Sequence, residues 1–429
     1  MAAMRRVAAV DEANLVLDHE GQVNVFLIAG MLTAGGFVGP DGLPDMAALR
    51  AGMERRIAGI PQLRKSAVPV GGRHRWAGTW PDLEAHIRLL GGVAGQSGLE
   101  HLCGELMNTP LPRSRPLWEL LLVQDVSAAR VGMVLRIHHA LADGMAAVAI
   151  AQQLFDPDRA AAPAVTPRWA VDEGPRATVP RILNRVTLAF TRIRMTLTGH
   201  EIGSTVLLGK RSAHHGVGFL TADLAALEAY ARPLGATAND SLLAAVATGY
   251  RAVLRAAGEK VPARLPVSVP VALRRRGTSG NQVGVMLVRL PLDEPDADQR
   301  LRLISSQTRT EKVRARQQGT LEFMRGPTGA RLMDRVGAHQ HLVGGFVTNV
   351  PGPVQALRLA GAPVADIWPV AVLAANVRLG VAATSYAGRL RCGIHFDADN
   401  VPGGEFVRAM DEEFARMIER KGKADARRD

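Results

Sequence analysis

A run of prolines divides this chain. Pro157, Pro163, Pro167, Pro175 and Pro180 each fix a backbone φ angle and remove an amide donor, so no regular helix or strand runs through the segment from Asp156 to Pro180. At 429 residues the chain is too long for one ordinary core and suits two domains of roughly 200 residues each. The organisation expected is a first domain over residues 1–160, a proline-rich linker with a crossover helix over 161–213, and a second domain over 214–429.

Both flanks mix strand and helix periodicity. In the first, Val25 to Ile28 is a short apolar strand. Met46, Leu49, Met53 and Ile57 share one helical face, and Asp45 before them suits an N-cap. Leu120 to Val126 and Val131 to His138 read as the strands of a hairpin, and Gly144 to Phe155 as a helix. In the second, helices are expected at Leu224 to Tyr230 and Asn239 to Ala256. Strands are expected at Pro266 to Leu273, Val283 to Leu290, Gly345 to Val350, Val377 to Ser385 and Leu390 to Phe396. Helices alternating with strands predict an α/β (α+β) fold in which each half is a sheet with helices on it. Between the halves, Ile182, Val186, Phe190 and Leu197 lie at helical spacing, with Arg181, Arg185 and Arg192 on another face. Two readings stand: a crossover helix packed on its own protein, or a basic helix lying on an anionic membrane.

Composition removes several function classes. Cys103 and Cys392 lie far apart and have no metal-ligand spacing, which excludes a disulfide framework and a structural zinc site and fits a reducing compartment. Asp11 and Glu12 interrupt the early apolar run before the core of a secretion signal is complete. No stretch reaches the ~18 apolar residues of a membrane span, so a membrane is expected to be met only from its surface. The net charge of +12 favours anionic partners in general. Aromatic residues make up only 4% and form no basic–aromatic strip, so nucleic acid is not an expected partner.

The chemistry centres on His138-His139-Ala140-Leu141-Ala142-Asp143-Gly144. Val131, Met133, Leu135, Ile137 and His139 share one parity of the preceding strand, and His138 takes the other. The two imidazoles therefore point apart and are poor candidates for a shared metal. Asp143 stands near a helix start, where it can cap the helix or pair with an arginine, and Gly144 allows a tight backbone. An alcohol is a weak nucleophile until its proton is removed during attack. Imidazole accepts such a proton near neutral pH, and a positioned base contributes ~10²–10⁴ in rate. There is no GxSxG elbow and no Cys/His nucleophile pair. A direct transfer between two bound substrates needs neither.

This string resembles the HHxxxDG motif of acyl-CoA-dependent acyltransferases with the chloramphenicol acetyltransferase and condensation-domain fold. Other segments narrow the resemblance to the bacterial wax ester synthase/diacylglycerol acyltransferase family. Pro116-Leu117-Trp118-Glu119 is similar to its PLW element and Asn239-Asp240 to its ND element. Gly280-Asn281 with Leu290-Pro291 is similar to its GN…LP stretch, Asn349-Val350-Pro351-Gly352-Pro353 to its NVPGP element, and Ser385-Tyr386-Ala387-Gly388 to its SYxG turn. The elements fall in the family's order and cover nearly the whole chain.

The resemblance implies two chloramphenicol-acetyltransferase-like domains, each a mixed sheet with helices, and an active-site tunnel at their interface. It implies acyl-CoA as co-substrate, no bound cofactor, an alcohol or diacylglycerol as acceptor, and wax esters or triacylglycerol as products. His139 would be the base, with His138, Asp143 and Gly144 completing the catalytic motif. Pro116, Leu117, Trp118, Asn239, Asp240 and Asn349 are the candidate substrate-binding residues. A cytoplasmic location is expected, peripheral to the inner membrane surface or lipid droplets.

Alternatives stay open. Leu117 and Trp118 either pack the core or line the acceptor pocket. Asn239 either caps the helix after it or stabilises an oxyanion. His395 and Asp397 share a strand face and read as structural, and His214-His215 reads as a solvated turn. The family's early Pro-Met-His-like element is replaced by Gly21-Gln22-Val23-Asn24-Val25, which leaves acceptor identity open. A specialised-metabolite acceptor and a non-catalytic lipid-surface protein are the competing functions.

Overall fold

The computed structural model describes residues 4–19, 21–127, 130–142, 144–157, 202–273, 282–318, 331 and 335–425. Residues 158–201, which hold the rest of the proline-rich break and the expected helix at 181–197, lie outside them, as do Asp143 and Gly280-Asn281. Contrary to expectation, Asp156 and Pro157 at the start of the break form a short strand. The strands are β1 (Arg5–Arg6), β2 (Val25–Thr33), β3 (Lys65–Val70), β4 (Arg73–Gly78), β5 (Ile87–Leu90), β6 (Trp118–Ser127), β7 (Arg130–His138) and β8 (Asp156–Pro157). They continue with β9 (His215–Asp223), β10 (Arg264–Leu273), β11 (Gln282–Pro291), β12 (Gly345–Val350), β13 (Leu357–Leu359), β14 (Ala362–Val370), β15 (Leu379–Tyr386) and β16 (Arg389–Asp397).

Two mixed sheets carry the fold. One has seven strands in the order β5-β6-β7-β2-β14-β13-β8, the other six in the order β11-β10-β12-β15-β16-β9. A small sheet, β1-β4-β3, stands apart. The expected β6–β7 hairpin forms, and β7 pairs antiparallel with β2, setting Val25 opposite His138. The helix Met46–Ile57 forms with Asp45 as its cap, the Asp45 carboxylate accepting the Ala48 N–H at 2.9 Å. It buries Leu49, Met53 and Ile57 with Val131, Met133, Leu135 and Ile137 of β7.

Sheet membership does not follow chain order. β13 and β14 come from the second half but complete the first sheet, β14 pairing antiparallel with β2 through Trp368 opposite Ala29. Residues 202–213, assigned to the linker from sequence, place Ile202, Leu207 and Leu208 in the second core.

The other face of the first sheet is covered by the helix Gly95–Met107 and by the second sheet. Leu27, Ala29, Leu121 and Val134 pack there with Leu99 and Cys103 of the helix and with Val217, Phe219, Trp368 and Val370. Each large apolar side chain buried this way contributes about 1.5–3 kcal/mol, so the join is a core and not a loose hinge. Phe219 stacks on Trp368 with ring centroids 4.8 Å apart. Two glycines permit the close approach. A Cβ on Gly104 would fall 2.2 Å from the His215 carbonyl oxygen, and one on Gly393 would fall 2.0 Å from that of Pro369.

Candidate active site

The histidine turn begins where β7 ends. His139 has left the ladder, yet its backbone is held on both sides. Its N–H donates to the Asn24 carbonyl at 3.0 Å, and its carbonyl accepts from Asn14 Nδ2 at 3.4 Å. The two asparagines are joined in turn, Asn24 Nδ2 donating to the Asn14 carbonyl at 2.9 Å. The stretch that replaces the family's early element thus supplies part of the frame around His139. The His139 ring is half-buried and meets Phe26 edge to face, with centroids 5.3 Å apart.

His138 points elsewhere and is fully buried. Its Nδ1 accepts the Ala140 N–H at 2.9 Å. The ring proton of the neutral imidazole therefore sits on Nε2, which faces Asp18 Oδ2 at 3.4 Å. That approach falls outside hydrogen-bond geometry, so the attraction is electrostatic. Asp18 also accepts the Asn24 N–H at 2.9 Å and Arg113 at 3.1 Å. Burial pushes the Asp18 carboxyl up, but His138, the Asn24 N–H and Arg113 outweigh it and hold it down at about 2. Gly144 is the first residue of the helix Gly144–Leu154 that follows the turn.

The Pro116-Leu117-Trp118 element runs alongside. The Leu117 carbonyl accepts the His138 N–H at 3.0 Å. The Trp118 indole is wholly buried, donates to the Leu63 carbonyl at 2.9 Å and lies against His86. Pro116 offers its carbonyl to His86 Nε2 at 3.1 Å. Leu117 and Trp118 sit in the core of the first sheet, and the Leu117 backbone holds the histidine turn.

On the second sheet the helix Ala238–Ala256 begins beside the end of β12. Asn239 does not cap it, contrary to the capping expectation. Thr237 is the cap: its hydroxyl accepts the Asp240 N–H at 3.3 Å, and Asp240 Oδ2 accepts the Thr237 N–H at 2.8 Å. Thr308 Oγ1 donates to Asp240 Oδ1 at 2.7 Å, so both Asp240 oxygens are engaged within the fold. Asn239 is thereby released, and its Oδ1 accepts from Asn349 Nδ2 at 3.2 Å. Asn349 Oδ1 is buried and has no hydrogen-bond partner among the described residues. The Asn349–Pro353 loop rests on the Ser385–Gly388 turn, where Ser385 Oγ accepts the Gly352 N–H at 3.2 Å.

Residues 8–201 match the wax ester synthase/diacylglycerol acyltransferase catalytic domain, and residues 279–418 match the C-terminal domain of the same family. The chain belongs to the wax ester synthase/diacylglycerol acyltransferase family. It is 30% identical over 377 residues to the probable diacylglycerol O-acyltransferase tgs1 of Mycobacterium tuberculosis, covering 81% of this chain and 79% of the relative. It is 24% identical to the O-acyltransferase WSD of Acinetobacter baylyi, over 67% of this chain and 70% of that one. The structure of the wax ester synthase/diacylglycerol acyltransferase from Marinobacter aquaeolei superposes with a TM-score of 0.72 at 20% identity, covering 98% of this chain and all of that one. The first condensation domain of the calcium-dependent antibiotic (CDA) synthetase superposes with a TM-score of 0.59 at 16% identity, covering 98% and 96%. The expected family, the two-sheet acyltransferase fold and the enzyme class with acyl-CoA as substrate all stand.

Several partners in this family member escape sequence reasoning. Asp18, Asn14 and Asn24 hold the histidine turn, but nothing in their local spacing marks them. Glu119 and Arg136 form a buried ion pair on the strands that carry Trp118 and His138, with Arg88 reaching Glu119 at 3.1 Å. His395 is buried, its Nδ1 meeting the Ala371 carbonyl at 2.8 Å and its Nε2 meeting His215 Nδ1 at 2.9 Å. His215 is therefore half-buried at the start of β9 against His395, and not in a turn. His214 alone is exposed, beside Asp399. Asp397 accepts the Ser212 N–H at 3.0 Å and Asn400 Nδ2 at 2.9 Å.

Proposed function

We propose that His139 is the general base of an acyl transfer from acyl-CoA to an alcohol or diacylglycerol. A lone pair on the imidazole takes the hydroxyl proton as the oxygen attacks the thioester carbonyl. The tetrahedral intermediate then expels the CoA sulfur, which recovers the proton from the imidazolium, leaving an ester and free CoA. The observation that carries this reading is the two-sided backbone clamp on His139 by Asn24 and Asn14, which sets its half-buried ring apart from the buried His138. A base fixed in this way needs no reorganisation as the proton moves. His138 positions the turn through Asp18, and Gly144 opens the helix that follows it. The Asn239–Asn349 amide pair is the proposed donor toward the oxyanion or acceptor. Pro116, Leu117, Trp118 and Asp240 then act by holding this frame.

The test is CoA release from palmitoyl-CoA with 1-hexadecanol or diolein, comparing the wild type with His139→Ala. Activity that falls by ~10² or more in the variant supports the base. Unchanged activity overturns it. Turnover only with acceptors other than storage-lipid alcohols would move the reading to a specialised metabolite.

No helix among the described residues is long and apolar enough to cross a membrane. Contact with a lipid surface is proposed for the small sheet and the residues flanking it, which expose the apolar Met4, Val70 and Trp80 and the basic Arg5, Arg6, Arg73 and Arg75. Basic side chains around apolar ones suit an anionic bilayer. Co-sedimentation with phosphatidylglycerol vesicles should drop in Trp80→Glu; equal binding by both proteins removes this surface from consideration.

A further inference from the structure

A cavity of about 440 Å³ lies between the first and second halves of the chain. Its polar lining consists of Asp18, His19, His74, Arg113, Arg331 and Arg335. Three guanidiniums and two imidazoles thus face one carboxylate. Asp18 is already met by Arg113 at 3.1 Å and by His138 at 3.4 Å, and His74 is held by Glu12 at 3.0 Å. The surplus charge therefore lies on Arg331 and Arg335, which are both exposed. The opposite wall, at Asp18, backs directly onto the histidine turn.

We infer that this cavity takes the phosphorylated nucleotide end of the acyl-CoA donor, with Arg331 and Arg335 as its phosphate contacts. Paired guanidiniums present N–H forks that match phosphate oxygens two at a time. The volume falls within the ~300–1,000 Å³ of ordinary ligand sites. A buried carboxylate already neutralised by Arg113 does not repel the incoming anion. The assignment rests on acyl-CoA being the donor and adds to that reading the residues that recognise its phosphates. Arg113 serves here as a positioning residue, because its guanidinium is committed to the Leu15 and Asp18 carbonyls and the Asp18 carboxylate.

The experiment combines binding with donor discrimination, using the full chain. Calorimetry compares CoA, adenosine 3′,5′-diphosphate and inorganic phosphate against the wild type and an Arg331→Gln/Arg335→Gln variant. CoA and adenosine 3′,5′-diphosphate should bind the wild type and lose at least tenfold in affinity in the variant, with Arg331→Lys/Arg335→Lys retaining part of the binding. The ratio of kcat/KM for palmitoyl-CoA to that for palmitoyl-pantetheine should also fall at least tenfold. An unchanged ratio, or CoA binding equal to the wild type, overturns the assignment. So does inorganic phosphate that binds as tightly as the nucleotide, which would mark a bare anion site. Binding is read without turnover, so an inactive protein that still binds the nucleotide through these arginines defeats the catalytic reading and leaves the cavity standing.

Discussion

His138 Nε2 stands 3.4 Å from Asp18 Oδ2, while its Nδ1 takes the Ala140 N–H at 2.9 Å. One imidazole is thereby oriented from both ends, and the residue after it is His139. The depressed Asp18 carboxyl, at about 2, links this arrangement to pH. An unfolded aspartate binds its proton at a higher pH than the folded one, so the stabilisation is complete above about pH 4 and is lost as pH falls toward 2. Asp18→Asn should lose this acid-sensitive part of the stability. It should also lower kcat about tenfold through a loosened turn. Urea titrations at pH 3 and pH 6, together with CoA-release assays, measure both effects.

His395 offers a second pH window of opposite chemistry. Burial, His215 and Arg211 hold its imidazole neutral, with its pKa pushed down to about 3 against the support of the Ala371 carbonyl. The unfolded histidine gains a proton below about pH 6.5. Stability is therefore full above that pH and declines as pH falls toward 3. His395→Gln should be less stable at pH 7.5, because hydrogen bonds are lost, but should show a shallower decline between pH 7.5 and pH 5. Thermal midpoints across that range, read for both proteins, decide it; parallel curves would contradict the assignment to His395.

Trp118 is wholly enclosed, with its indole N–H on the Leu63 carbonyl. Trp118→Ala should destabilise the protein by about 3–5 kcal/mol. Trp118→Phe should cost less while still stranding the Leu63 carbonyl. Denaturant unfolding gives the values. A near-native stability with a raised KM for the acceptor would instead return Trp118 to the pocket wall.

Asn239 and Asn349 share one hydrogen bond, so their substitutions should not add. A double-mutant cycle of Asn239→Ala and Asn349→Ala should give a coupling of about 0.5–3 kcal/mol in kcat/KM. Either single variant should lower kcat more than it raises KM, as expected for a contact made in the transition state. Strict additivity would separate the pair.

Gly393 brings β16 onto β14, and a methyl there would meet the Pro369 carbonyl at 2.0 Å. Backbone cannot step aside as a side chain can. Gly393→Ala should destabilise the fold by about 1–3 kcal/mol, measured by thermal unfolding, whereas Gly404→Ala, with open space around it, should cost far less.

What the residues determined by themselves is what short-range physics controls. Strand parity separates His138 from His139, and the two rings do part: His138 closes β7 with its ring turned to Ala140, and His139, one residue past the strand, meets Phe26. The helical face of Met46–Ile57 and its Asp45 cap depend on neighbours within four positions, and both form as read. The family elements were legible as strings for the same reason. Local patterning was silent wherever partners come from afar. Thr237, Asn239 and Asp240 are all good caps by type, and only the packing of Thr308 on Asp240 shows which residues cap and which is left for Asn349. Asn14 lies 125 positions from His139, and Asn349 lies 110 from Asn239. Nothing in the spacing of β14 indicates that it crosses into the first sheet, because its place depends on β2 offering an open edge. Side-chain direction was therefore written locally, while the partners of each functional side chain were decided by which sheet faces meet when apolar surface leaves water.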